Sequence, residues 1–91
     1  MEKFDHLKLL PYIDPDDYEV WYQVGMALKY EGYSCDDWDR WSQGSSKYKA
    51  GDCDSKWNTF HNDASKPTTG AYITMKAKEG GWEPKIGRAH V

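Results

Sequence analysis

Asp14-Pro15-Asp16-Asp17-Tyr18-Glu19-Val20-Trp21-Tyr22-Gln23-Val24-Gly25-Met26-Ala27-Leu28 is the stretch that decides the fold. Asp14 suits a helix N-cap and Pro15 the first helical position, where a missing N–H costs nothing. Asp17 then falls at the third, where a carboxylate complements the positive end of the helix dipole. Tyr18, Trp21, Val24, Gly25 and Leu28 recur at steps of three and four, one face of an α-helix, and Met26 and Ala27 widen that face. Gly32 is a natural stop. A glycine inside a helix costs about 1 kcal/mol relative to alanine, so Gly25 predicts the close approach of another helix or an aromatic ring. The clustered acids could also be read as a metal or acid–base group, but their positions favour capping.

Outward from this helix the pattern repeats. Upstream, Phe4, Leu7 and Leu10 share a helical face until Pro11 breaks it. Downstream, Ser34 can cap a helix with Asp36 and Asp37 in its first turn, Cys35, Trp38, Trp41 and Ser42 facing inward, and Gly44 at its end. Gly44-Ser45-Ser46 reads as a turn, after which Tyr48 is expected to fold back onto the core. A further helix, from Gly51 or Asp52 to His61, carries Cys53, Trp57 and Phe60. Asn62 to Gly70, with Pro67, reads as a loop. Thr68 or Thr69 can cap a last helix bearing Tyr72, Ile73 and Ala77, stopped by Gly80-Gly81 and closed by Trp82.

Each of these helices thus carries a large anchor. The fold class expected is all-α: a small compact bundle of four to five helices over residues 1–82. Its core is Trp- and Tyr-rich, built on Tyr18, Trp21, Val24, Leu28, Trp38, Trp41, Trp57, Phe60 and Trp82. A chain of 91 residues makes one domain and buries only about 60–65% of its unfolded surface. Five Trp and seven Tyr, each able to bury about 150–250 Å², can stand in for scarce aliphatic residues. Ile86-Gly87-Arg88-Ala89-His90-Val91 resembles the translation of a short-read sequencing adapter. Residues 83–91 are accordingly expected to be a non-native or disordered tail, and the natural protein to continue differently.

Chemistry-bearing residues do not cluster. Cys35 and Cys53 are too few for a disulfide framework, and His6, His61 and His90 are scattered, so free thiols and no metal site are expected. Gly80-Gly81 lacks the Lys-Ser/Thr of a phosphate loop, and Ser45-Ser46 has no histidine or acid at a motif spacing. No catalytic residue and no cofactor are expected; His61 reads as a surface or helix-terminal histidine. No apolar run is long enough to span a bilayer, and the first residues are not a signal peptide, so a cytoplasmic protein without membrane contact is expected. Net charge is −3 but uneven: residues 1–46 hold four basic and ten acidic side chains, residues 47–91 eight and five. Six lysines of the second half, Lys47, Lys49, Lys56, Lys66, Lys76 and Lys78, could line one edge and meet phosphates with Tyr48 or Tyr72 stacking on bases. Equally, they could form a solvated polar face.

Ile13-Asp14-Pro15, Tyr18, Trp21, Val24-Gly25-Met26-Ala27-Leu28, Trp38, Trp41-Ser42, Ser46-Lys47-Tyr48, Trp57 and Ala77-Lys78-Glu79-Gly80-Gly81-Trp82 resemble the primase C-terminal 2 (PriCT-2) domain. The likeness covers about residues 5–82. It implies an all-helical module of phage, prophage or plasmid replication proteins, set between a primase-polymerase domain and a superfamily 3 helicase ATPase domain, which would be its partners in cis or in trans. It brings no agreed catalytic residues. The function it implies is that of a non-catalytic accessory module of a DNA primase/helicase, positioning the catalytic domains or template DNA. A single-stranded DNA-binding module using Lys47, Tyr48, Lys49, Lys56, Lys76 and Lys78 is the alternative, and a stand-alone nucleotide hydrolase a more distant one.

Overall fold

The computed structural model describes residues 5–60 and 68–83. The expectations for Phe4, for His61 and most of the loop after it, and for the tail from residue 84 lie outside the described residues. Among these residues there are no strands. A 3-10 helix at His6–Tyr12 is followed by α1 (Tyr18–Tyr30), α2 (Cys35–Ser42), α3 (Asp52–Trp57) and α4 (Gly70–Glu79).

The first segment differs from expectation: it is a 3-10 helix, and Pro11 lies inside it. Asp5 caps its start, accepting from the Leu7 N–H at 3.0 Å. Three residues per turn put Leu7, Leu10 and Ile13 on one ridge, of which Leu10 and Ile13 are buried together with Leu9. The main helix also starts later than its sequence pattern suggests, at Tyr18. Asp17 is its N-cap, accepting from the N–H groups of Glu19 at 2.9 Å and Val20 at 3.3 Å. Asp14 instead holds the preceding turn, accepting from the Asp16 N–H at 3.0 Å. Gly32, with φ of +92°, then reverses the chain in a conformation that a side chain would strain.

Ser34 and Asp37 form a reciprocal capping box at the start of α2, which ends at Ser42, two residues before Gly44. The next helix ends at Trp57, well short of His61. There the Lys29 ammonium, from the last turn of α1, donates to the Trp57 carbonyl at 2.9 Å. Phe60 reaches the core from just beyond the helix. Thr69 caps α4, as the sequence allows, and Glu31 accepts from the Gly70 N–H at 2.8 Å, tying that cap to the end of α1.

Trp38 is fully buried at the centre. Its ring stacks on Trp21 at 4.5 Å and 27°, with Phe60 at 5.2 Å and Trp57 at 5.8 Å. Burying an indole N–H without a partner would cost several times the net gain of one hydrogen bond. Three indoles therefore reach a neighbouring element. Trp38 Nε1 donates to the Trp21 carbonyl at 3.1 Å, and Trp21 Nε1 to Ser42 Oγ at 2.7 Å. Trp41 Nε1 donates to the Leu10 and Ile13 carbonyls at 3.1 and 3.2 Å. Ser42, also buried, donates its own hydroxyl hydrogen bond to the Trp38 carbonyl at 2.7 Å.

Val24, Leu28, Trp38 and Phe60 are buried, whereas Trp21, Trp41, Trp57 and Trp82 are partly buried and pack around them. Tyr18 is a correction: expected in the core, it is 57% exposed. Side chains on a helix lean toward its N-terminus. As the first helical residue, Tyr18 leans past the end of α1, beyond the neighbours that cover Trp21 and Val24.

A Cβ at Gly25 would lie 2.5 Å from Trp38 Cε2 and 2.8 Å from Phe60 Cε2, so the close approach read from the sequence is that of aromatic rings. Alanine would gain about 1 kcal/mol of helix propensity, but overpacking a core costs about 1–3 kcal/mol. Trp38 is pinned by its stack and its hydrogen bond, so the collision should win. Gly25→Ala is expected to lower stability by about 1–2 kcal/mol in urea denaturation; a midpoint equal to or above the parent's would mean the indole moves aside freely.

Candidate nucleic-acid interface

The connection from α2 to α3 folds back over the start of α1, and one contact holds it there. The Asp16 carboxylate, left outside the helix by capping at Asp17, accepts at Oδ1 from Ser45 Oγ at 2.7 Å, the Ser46 N–H at 2.8 Å and Ser46 Oγ at 3.3 Å. The hydrogen bond from Ser45 and then that from the Ser46 backbone hold the Asp16 carboxyl below its ordinary value of 3.8. A second clasp lies beside it: Tyr48 donates to Asp39 Oδ1 at 2.9 Å, which pushes the phenol above its usual range.

These clasps leave a cleft of about 130 Å³. Pro15, Tyr18 and Trp21 contribute its α1 side, and Lys47, Tyr48 and Lys49 its opposite side. Lys47 and Lys49 are exposed, and neither is in an ion pair with a described residue. Just outside, the Lys56 ammonium sits 5.8 Å from the Tyr18 ring centroid and 5.7 Å from that of Tyr22, rings that stack on each other at 6.1 Å. Four of the six contact residues read from the sequence are therefore gathered around the cleft.

Lys76 and Lys78 are not. Both lie on α4, where Lys76 pairs with Glu79 at 3.2 Å and sits 6.0 Å from the Tyr72 ring centroid. The pairing raises the Lys76 pKa. Tyr18 and Asp16 were missed as site residues. The clue to Asp16 was present, since a helix needs one cap and this sequence offers several carboxylates. The placement of Tyr18 followed only from the later helix start.

The thiols are set against reactivity. Burial, and then the bond to Asp54 Oδ1 at 3.3 Å, pushes Cys35 from 9.0 to about 12; burial raises Cys53 to about 11 against its bond to Ser42 at 3.3 Å. Among the described residues no three His, Cys, Asp or Glu side chains form a group that could hold a metal ion. Nor is any helix of these residues long and apolar enough to cross a membrane.

Residues 6–77 match the family Primase C terminal 2 (PriCT-2). The chain belongs to the PriCT-2 family. This PriCT-2 chain is also 36% identical over 61 residues to a helicase-named protein, 121R, of Invertebrate iridescent virus 3. That similarity covers 63% of the chain but only 6% of the viral protein, so the chain spans a small part of that relative. No solved structure matches it. The PriCT-2 match runs from the 3-10 helix into α4 and takes in the whole cleft.

Two outcomes test these electrostatics. A carboxyl whose pKa is lowered on folding stabilises the fold above 3.8, and that contribution is lost as pH falls through its folded-state value. Thermal unfolding followed by circular dichroism should therefore show a flatter acid limb for Asp16→Asn than for the parent; parallel limbs would remove this role from Asp16. The thiols, whose folded-state values are raised, should stay protonated at pH 8. Alkylation there should run on the order of 100-fold slower than in the urea-unfolded chain, because only the thiolate attacks.

Proposed function

We propose that this chain is a non-catalytic accessory module of a cytoplasmic primase-helicase of a phage, plasmid or virus. It holds the priming and unwinding parts in place and contacts the template strand. PriCT-2 membership and the helicase-named relative support the association. The observation that carries the non-catalytic reading is where the reactive groups are spent. Asp16 and Asp39 hold the connection between α2 and α3, Asp14 holds a turn, Asp17 caps α1, and the thiols are pushed away from ionisation. A carboxylate held below its ordinary range, as at Asp16, and thiols held above theirs are not poised for proton transfer at neutral pH.

The template-contact part rests on a separate observation, the gathering of Lys47, Lys49 and Lys56 beside exposed Tyr18. Purified chain is expected to turn over neither ATP nor GTP, with or without single-stranded DNA, and to shift the anisotropy of a labelled oligothymidylate at about 50 mM salt. Nucleotide turnover proportional to protein concentration and retained through gel filtration would refute the non-catalytic reading. Failure to bind the oligonucleotide would remove template contact and leave the scaffold role.

A further inference from the structure

Resting on the template-contact reading, we propose that the cleft between the start of α1 and residues 45–53 is a subsite for one unstacked base of single-stranded nucleic acid. Tyr18 is the stacking platform, and Lys47 and Lys49 meet the flanking phosphates. Tyr18 is an aromatic ring more than half exposed, held in place by Trp21 at 5.6 Å and Tyr22 at 6.1 Å, so little ordering remains to be done when a base arrives. Cys53 and Ser42 line the same cleft and bond to each other, which leaves an inner wall poor in free donors. Such a wall suits the face of a base better than its hydrogen-bonding edge, so the subsite is tolerant of sequence.

Charge sets the expected strength. Lys47, Lys49 and nearby Lys56 stand against Asp16 and Asp52, and Asp16 is already engaged by three donors. The two phosphate contacts of Lys47 and Lys49 give a salt slope of only about −1.4 for a single strand, so stacking supplies much of the affinity. An acidic peptide would gain from the lysines but not from the ring. Lys76 and Lys78, away from the cleft, take no part.

The experiment titrates labelled oligothymidylate with the full chain, from about 50 to 200 mM salt. Tyr18→Ala should weaken binding about tenfold, and Tyr18→Phe should retain it. Lys47→Ala and Lys49→Ala should each make the salt slope shallower by about 0.7, and Lys78→Ala should change nothing. Circular dichroism checks that Tyr18→Ala is folded, and the Tyr18→Phe and lysine variants carry the test if it is not. Binding that survives Tyr18→Ala and the cleft lysine changes but falls with Lys78→Ala would overturn the subsite while keeping template contact. Polyglutamate competing as well as oligothymidylate at equal charge would overturn it in favour of an acidic peptide. No binding at the lowest salt would overturn subsite and template contact together, leaving the scaffold role.

Discussion

The contact between the Trp38 ring and the bare backbone of Gly25 is the constraint from which the rest of the bundle follows. It brings α2 against α1 closely enough for the two indoles to stack and to trade hydrogen bonds, Trp38 to the Trp21 carbonyl and Trp21 to Ser42. Each bond removes the desolvation cost of a polar group that the packing itself buries. Trp41, three residues on, then draws in the carbonyls of Leu10 and Ile13. One helix of eight residues therefore positions both the main helix and the opening 3-10 helix. In a chain this small, where little aliphatic surface is available, directional bonds on aromatic rings do part of the work that bulk burial does in larger domains.

Much of this was legible in the sequence, for identifiable reasons. The three-and-four spacing of Val24, Gly25 and Leu28 reports a helical face whatever its partner, and a glycine on that face signals close approach. Ser34 with Asp37, and Thr69 before α4, are local signals that need no tertiary information. What failed were choices between equivalent local signals. Asp14 and Asp17 can each cap, and the difference lies in whether Asp16 is left free for Ser45 and Ser46, some 30 positions away in the chain. The end of α3 likewise depends on Lys29, which no local reading brings to the Trp57 carbonyl.

The candidate interface divides along the same line. Residue type pointed to lysines and tyrosines in the second half, and spatial neighbourhood separated them. Lys47, Tyr48 and Lys49 are carried to the start of α1 by a connection that two carboxylates fasten. Lys76 is taken up within its own helix by Glu79. Tyr18 escaped notice because helical periodicity assigns it to the buried face, while its place at the first helical position turns it outward. The acidic excess of the first half is largely absorbed in caps and turns, so net charge is a poor guide to what this surface meets.

The 3-10 helix and α4 make the most extensive pairing of elements in the bundle, and they run in the same direction. The His6 ring lies against Gly70 at the start of α4, and the Tyr12 carbonyl against Gly80 at its end, both closer than a side chain would permit. The described residues thus begin beside one end of α4 and finish beside the other, about 15 Å away for ten residues. A tension applied between residues 5 and 83 would therefore fall on the seam between the 3-10 helix and α4, loading their close contacts at His6–Gly70 and Tyr12–Gly80 along its length.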